Sequence, residues 1–337
     1  DGILAMQSPV PPGGTFEYEF VLKDAGLFWF HPHVRGDLQV QRGLYGTILV
    51  REIDEPRFDR ELVAVLDDIR ILPSGAIDEY PDDEGLAIGR EGTTILLNGR
   101  VEPTIRARPG ETLQLRLVNT ANGRFFNLKL AGHVLRVIGT DGGRVPKPFD
   151  VETLLMSPGE RYDVLVTLAG DAGDKIALTT EPYERGHGTG KNPALSVATV
   201  ELASERVEGA PLPDVGPAVE LLPEAAPLES IVLDEGTVDG QLVFTINGAA
   251  YPAVPPIMIP AGESRVLEIR NDAEMDHPFH LHGFFYQVLA RDGVPVPAAE
   301  RYNKDTIIVP QKSSLTLVSR FDEPGMWMYH CHIRSEE

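Results

Sequence analysis

One short pattern occurs three times in the chain and constrains its fold more than any other feature. A turn containing proline and glycine is followed each time by a segment in which apolar and polar residues alternate. The alternating segments are residues 15–20, 112–118 and 266–270. Alternation with a period of two is typical of a half-buried β-strand. Because the units recur at domain-length intervals, they predict tandem homologous domains and not a solenoid, whose repeats run roughly 20–50 residues.

Composition and spacing indicate how these domains are divided. With 337 residues the chain is long enough for two or three domains. Residues 52–58 are charged and contain proline, and residues 204–228 are rich in Pro, Ala and Glu, so both are predicted linkers. Residues 73–92, acidic with several glycines, are predicted to form a surface loop. Short strands separated by Gly/Pro turns favour β-sandwiches or barrels. The expected divisions are 1–53 (an incomplete first domain), 54–205 and 206–337.

The charge and cysteine content exclude several classes of protein. A formal net charge of −21 argues against nucleic acid or an anionic membrane surface as a partner, since both attract basic patches. No stretch approaches the roughly 20 apolar residues that span a bilayer. The chain has one cysteine, which rules out a disulfide framework within the chain. We therefore expect no membrane span and no nucleic-acid partner.

Seven of the nine histidines lie in three short segments, each at the end of a strand-like run. Residues i and i+2 of a strand point to the same face, about 6.6 Å apart. Each His-x-His pair can therefore present two imidazoles to one metal or to two adjacent metals. Cys331, the single cysteine, stands between two of these histidines and is expected to face the opposite side. The clustered residues are His31 and His33, His277, His280 and His282, and His330 and His332.

These ligand types favour copper. A thiolate with imidazoles is the donor set of blue-copper electron-transfer sites. Zinc more often uses paired cysteines at C-x-x-C spacing, which this chain lacks. The two other histidines are expected to be structural, His133 in a strand and His187 in a loop. Met326 and Met328 alternate with a tryptophan and are expected to pack in a strand and not to bind metal.

The motifs WFHPH, HPFHLHG and HCHI resemble the second, third and fourth copper motifs of the multicopper oxidases. The segments ILLNGR, LRLVNT and MSPGERYDVLV resemble the middle domain of the same family, so the likeness covers essentially the whole chain. The resemblance implies an all-β fold of tandem cupredoxin-like Greek-key β-sandwich or barrel domains. It also implies a laccase-like copper-dependent oxidoreductase, which couples one-electron oxidation of phenols or aromatic amines to four-electron reduction of dioxygen to water.

The resemblance also implies a role for each ligand. His277 and Cys331 would bind type 1 copper, and His280 type 2 copper. Asp1 resembles the acid near type 2 copper that helps to deliver protons, and Glu337 lies where some bacterial members carry a second acid. Electrons would leave the substrate at type 1 copper and pass through Cys331 to the other three coppers. The histidines implied for the binuclear type 3 site are His31, His33, His282, His330 and His332.

The chain departs from the family pattern near both ends. The first motif, H-x-H-G, would lie just before Asp1, and Glu336 stands where the family has a further type 1 histidine. We therefore expect a partial chain whose first domain is truncated and whose last domain lacks its end. A copper-free scaffold protein of the same fold is the alternative function, and copper nitrite reductase is a weaker one. The expected partners are a small-molecule reducing substrate and dioxygen. The protein is expected to be a monomer that is exported to the periplasm or secreted.

Overall fold

The computed structural model describes residues 6–78, 88–191, 193–203, 205–238 and 240–333, and its regular structure is almost entirely β-strand. In these ranges the helical elements are α1 (Gly36–Gln41) and the 3₁₀ turn Ala298–Glu300, and neither could cross a membrane. The strands are β1 (Gly26–Phe30), β2 (Gly46–Val50), β3 (Arg60–Ile69), β4 (Thr94–Leu97), β5 (Thr104–Ala107), β6 (Thr112–Asn119), β7 (Phe126–Leu130), β8 (Leu135–Thr140), β9 (Gly143–Val151), β10 (Leu154–Met156), β11 (Arg161–Thr167), β12 (Lys175–Thr180), β13 (Leu195–Leu202), β14 (Leu228–Val238), β15 (Gln241–Ile246), β16 (Glu263–Asn271), β17 (His277–Leu281), β18 (Tyr286–Arg291), β19 (Val294–Pro295), β20 (Thr306–Val309), β21 (Ser314–Phe321) and β22 (Tyr329–Cys331).

Strands β3 to β13 form two sheets around one hydrophobic core. The larger sheet has the order β4-β3-β6-β11-β8-β9 and the smaller one the order β10-β7-β12-β13-β5. Buried side chains from both sheets belong to a single cluster, among them Leu66 and Leu115 from the larger sheet and Leu128 and Val200 from the smaller. Two sheets that bury their inner faces against each other make a β-sandwich.

Strands β14 to β22 repeat this arrangement. Their larger sheet has the order β15-β14-β16-β21-β18-β19, which matches the first sandwich strand for strand. Both sheets contain one parallel pair, β3 with β6 and β14 with β16. Asn98 and Asn247 follow equivalent strands with positive φ, and each accepts a 2.8 Å hydrogen bond from the backbone of the neighbouring strand. The shared topology confirms the expected all-β fold of tandem homologous domains.

The segment before these sandwiches corrects one prediction. Residues 15–20 alternate like a strand but form none, and Phe16, Tyr18 and Phe20 are more than half exposed. A strand needs a neighbour for its backbone hydrogen bonds, and no strand of the described residues pairs with this segment. The two predicted strands at 112–118 and 266–270 are confirmed as β6 and β16.

Two smaller predictions were also wrong. Residues 73–76 are exposed as expected of a surface loop, but Ile88, Gly89 and Arg90 at the other end of residues 73–92 are buried. A Cβ on Gly89 would collide with Ile333 and lie in tight contact with Gly123 at 3.2 Å. His133 lies in the turn between β7 and β8 and not in a strand, and its Nε2 accepts a hydrogen bond from the Ala169 amide.

Sheet membership supports the proposed domain division. Among the described residues, the first predicted linker, 52–58, contains no strand, and the second, 204–228, contains none before Leu228, where β14 begins. The sheets on either side of the second linker share no strand with each other. We propose on this basis the domains 1–53, 54–205 and 206–337, with β1 and β2 as a two-stranded sheet of the first.

Candidate metal centre

Six histidine rings from three distant segments form one cluster. His31 and His33 follow β1, the second pair comes from the end of β17, and the third from the end of β22. Strand β17 pairs antiparallel with β22, which places His280 opposite His330. The ring centroids lie 4.7 Å apart for His31–His33, 4.7 Å for His280–His282, 5.1 Å for His33–His282, 5.1 Å for His282–His330, 5.4 Å for His31–His332 and 5.5 Å for His330–His332.

Backbone carbonyls fix which ring nitrogen carries the proton in three of these histidines. The Nδ1 atoms of His31, His280 and His330 lie 3.2, 3.0 and 2.9 Å from carbonyl oxygens. Because a carbonyl only accepts, each Nδ1 must donate, and the lone pair of each ring is left on Nε2. Such outer hydrogen bonds orient histidines that bind metals and raise their basicity.

Burial keeps four of these rings neutral, those of His31, His282, His330 and His332. It lowers the pKa of His31 to about 3 and the pKa of His282 to about 2, and the neighbouring imidazoles add to the effect. The pKa values of His330 and His332 are also held well below the ordinary value, first by burial and then by other histidines. Metals bind the neutral form of imidazole, so these four rings are in their metal-binding state at neutral pH.

Three histidine ring nitrogens of the cluster lie close enough together to bind one metal ion. One ring nitrogen from each of His280, His282 and His330 lies within 4.8 Å of the others. The Nε2 atoms of His282 and His330 are 3.0 Å apart. Several imidazoles without carboxylates match copper better than magnesium or calcium, which prefer oxygen ligands. The residues present therefore fit copper.

A second group of donors lies on the other side of β22. The Nδ1 atom of His277 is 3.3 Å from Cys331 Sγ, and Phe279, next but one to His277, pairs directly with Cys331. Burial lowers the pKa of His277 to about 4, so this ring is neutral as well. An imidazole and a thiol are two of the three strong donors of a type 1 copper site, which has two histidines and one cysteine. Side chains of a strand alternate between faces, which explains how β22 contributes to both groups.

Asp305 and Arg161 support the histidine cluster and were not identified from the sequence. The Asp305 carboxylate lies 3.6 Å from His280 Nδ1, and Arg161 holds both of its oxygens, at 2.6 and 2.7 Å. Burial alone would raise the pKa of Asp305, but Arg161 and His280 together outweigh burial and hold the pKa well below the ordinary value. Arg161 also donates from Nε to the Leu27 carbonyl at 3.0 Å. One guanidinium thus connects all three predicted domains at the site.

A cavity of about 350 Å³ opens beside His277 and Cys331. Its walls are mainly apolar and include Phe244, Trp327 and Tyr251. Met326 and Met328, which were expected to pack in a strand, precede β22 and line this cavity.

Gly159 provides a test of the histidine cluster. Its φ is +86°, and a Cβ at this position would lie 2.8 Å from the His332 ring. Gly159→Ala is therefore expected to strain the backbone by about 1–3 kcal/mol and to displace His332. Gly132→Ala is the matched control, because φ is +71° there and nothing lies within 4 Å. Both variants should lower the unfolding free energy, but only Gly159→Ala should lower the copper content per chain. Equal copper contents would contradict this role of Gly159.

The three acidic residues singled out near the chain ends, Asp1, Glu336 and Glu337, lie outside the described residues. The eight histidine and cysteine positions proposed as ligands all lie within them, six in the histidine cluster and two on the opposite face of β22.

Comparisons with known proteins agree with this chemistry. Three sequence-family models described as multicopper oxidase match residues 1–55, 76–196 and 225–336. The chain is 32% identical to multicopper oxidase MmcO of Mycobacterium tuberculosis, over 98% of this chain and 71% of that protein. A multicopper oxidase structure from Pseudomonas thermotolerans superposes with a TM-score of 0.80 and 29% identity, over 99% of this chain and 80% of that one. A laccase-like multicopper oxidase from Ochrobactrum, with oxidase activity towards lignin model compounds and lignosulfonate, has a TM-score of 0.78 and 25% identity, over 92% and 74% of the two chains.

Proposed function

The chain belongs to the multicopper oxidase family, and from this premise we propose that it oxidises phenols and aromatic amines while reducing dioxygen to water. Its function is that of a laccase-like, copper-dependent oxidase. The observation that carries the proposal is the position of Cys331, the last residue of β22, between His330 and His332. The cysteine faces His277, and the two histidines belong to the six-histidine cluster.

We assign the copper ligands within this proposal as follows. His277 and Cys331 hold type 1 copper, and His280 holds type 2 copper. Bound copper supplies one-electron chemistry between Cu(II) and Cu(I) and a site for dioxygen. The binuclear type 3 site is held by His31, His33, His282, His330 and His332.

The chain's own residues prepare both sites. Cys331 is joined to His330 and to His332 by a few covalent bonds, so β22 is the shortest covalent path between the two groups of donors. The carbonyls of Pro32, Asp305 and Cys331 hold the rings with Nε2 free of its proton. Preorganised ligands reduce the rearrangement that each change of oxidation state requires.

The substrate class is supported by the cavity beside His277. Apolar and aromatic walls, including Phe244 and Trp327, suit a flat aromatic donor. Asp234 is a carboxylate in the same lining and can accept a hydrogen bond from a phenol hydroxyl or an aromatic amine. The six methionines of the chain do not form a methionine-rich segment of the kind that would indicate oxidation of cuprous ions.

Proton delivery, location and assembly complete the proposal. Reduction of dioxygen to water consumes four protons, and we assign their delivery to Asp1 and Glu337, since a carboxylate near a water path can serve as a proton donor.

We also propose that the protein is exported to the periplasm or secreted, and that it is a monomer with a small-molecule substrate.

The test uses the full-length protein purified with copper. We expect an intense blue absorption from the thiolate–copper bond, and oxygen uptake with a phenol of about one dioxygen per four one-electron oxidations. The same protein loaded with zinc is the control, because zinc has no redox chemistry. A colourless, copper-free protein that consumes no oxygen would contradict the proposal and favour the copper-free scaffold.

A further inference from the structure

Arg185 is a fully buried residue that extends from the second domain to the proposed type 1 site. Its carbonyl accepts a 2.7 Å hydrogen bond from the Asp276 amide, and Gly186 forms an isolated β-bridge with Met275. Its guanidinium Nη1 lies 3.0 Å from Met275 Sδ. Met275 is two residues before His277, and it packs in one apolar cluster with Cys331. These contacts bring a guanidinium to the immediate surroundings of His277 and Cys331.

Around Arg185, guanidiniums outnumber the carboxylates that form ion pairs with them, and the carboxyl of Asp276, the residue before His277, also interacts with Arg185. Arg185 Nε lies 3.3 Å from Glu91, and the same carboxylate lies 3.6 Å from Arg124. Asp68 in turn pairs with Arg124 at 2.7 Å and with Arg90 at 3.6 Å. Within the described residues, three guanidiniums thus share ion pairs with two carboxylates. Charges at buried positions act over longer distances than charges in water, because less solvent screens them.

Arg185 lies next to the donor pair through Met275, which its guanidinium contacts at 3.0 Å and which shares an apolar cluster with Cys331. Burial lowers the pKa of Arg185, and the Glu91 carboxylate acts against that lowering. Arginine nevertheless keeps its proton in proteins. Arg185 therefore remains a permanent positive charge beside the donor pair.

We propose that Arg185 raises the reduction potential of the copper bound by His277 and Cys331. This inference rests on the proposed function, since it needs copper at that site. When the site takes one electron from a phenol, Cu(II) becomes Cu(I) and the site loses one unit of positive charge. A nearby guanidinium repels the Cu(II) form more than the Cu(I) form, so it favours reduction. A higher potential lets the site accept electrons from weakly reducing donors such as phenols.

Redox titration of the blue absorption tests this role without measuring turnover. Arg185→Met keeps an unbranched side chain and removes the charge. At a fixed potential it is expected to lower the ratio of reduced to oxidised copper at least tenfold, a shift of about 59 mV for one electron. Arg185→Lys keeps the charge and is expected to restore most of the potential.

Glu91→Gln is the second variant, and it changes the charge in the opposite sense. Removing the carboxylate that neutralises Arg185 is expected to raise the potential. This variant keeps the guanidinium and its contacts, so it decides the question even where Arg185→Met fails to fold. If Arg185 had only a structural role, the reduction potential would not be expected to fall in Arg185→Met and rise in Glu91→Gln.

The outcomes separate this inference from the proposed function. A wild-type protein without blue absorption would overturn the copper assignment, and this inference with it. A blue wild type whose potential changes equally in Arg185→Met and Arg185→Lys would overturn the role of Arg185 alone. So would a Glu91→Gln variant whose potential falls or stays the same.

Discussion

Cys331→Ser is expected to abolish the blue absorption and to reduce the rate of phenol oxidation by more than roughly a hundredfold. Loss of a residue that only hydrogen-bonds to a metal ligand costs about 10–100-fold, and loss of the ligand itself should cost more. A serine hydroxyl is a harder and much less acidic donor than a thiol, so it cannot replace the thiolate as a copper ligand. The side chain lies 3.3 Å from His277 Nδ1, and its neighbours His330 and His332 belong to the histidine cluster. The substitution therefore removes one site and leaves the ligands of the other in place.

The measurement combines copper content, visible absorption and oxygen uptake on the same sample. Cys331→Ser should lose about one copper per chain, the type 1 ion, and keep those of the histidine cluster. Met328→Ser is the matched control, because it introduces the same hydroxyl into the same cavity wall without removing a thiol. A Cys331→Ser variant that stays blue, or that keeps more than a small fraction of its turnover, would refute the assignment of Cys331.

The local geometry of the site could be predicted from the sequence. Residues i and i+2 of a strand share a face, so the sequence His330-Cys331-His332 already separates one thiol from two imidazoles. The family resemblance then placed His277 with Cys331 and His280 with the other histidines. In the structure these residues lie together in the same two groups.

Other parts of the site depend on long-range packing that a local pattern does not encode. Asp305 follows His280 by 25 residues in the chain. The two lie close together because β17, which contains His280, pairs with β20, which begins just after Asp305. Arg161 belongs to a segment that resembles the family's middle domain, yet nothing local indicates that it binds Asp305. Arg185 contacts Met275, and the next residue, Gly186, forms an isolated bridge with Met275 between the proposed second and third domains. Segment 15–20 shows the converse: its alternating pattern predicted a strand, but the segment is exposed and pairs with none of the described strands.

Lys304 occupies a buried charge cluster between the proposed second and third domains. Its ammonium lies 3.0 Å from Asp141 Oδ2 and 3.1 Å from Glu160 Oε1, as ion pairs without the alignment of hydrogen bonds. All three side chains are at most 2% exposed. Asp141 also accepts hydrogen bonds from the amides of Arg161 and Thr306, so the cluster supports the contact that orients His280.

Replacing Lys304 with methionine is expected to lower the unfolding free energy by about 3–5 kcal/mol, because removing one member of a buried ion pair leaves the other without compensation. Chemical denaturation measures the change. Lys147→Met is the matched control, since the pair of Lys147 with Glu300 at 2.8 Å is largely exposed and should contribute about 0–1 kcal/mol. Adding Glu160→Gln to Lys304→Met should recover part of the loss, because it removes one uncompensated charge.

The loss in Lys304→Met should also depend on pH. Burial raises the pKa of Glu160 above 4.5, and Lys304 acts against that rise, so removing Lys304 raises this pKa further. When a carboxyl has a higher pKa in the folded protein than in the unfolded chain, its contribution to stability is fully present at pH values below the pKa of the unfolded chain. That contribution is lost as the pH rises through the pKa of the folded protein. The pKa of Lys304 is raised well above 10.5 by Asp141, Tyr162 and Glu160, which outweigh burial, so the Lys304 ammonium of the wild type stays charged across this range. The deficit of the variant should therefore be smaller at about pH 5 than at about pH 8. A deficit that is the same at both, or below that of Lys147→Met, would contradict an uncompensated buried carboxylate as its cause.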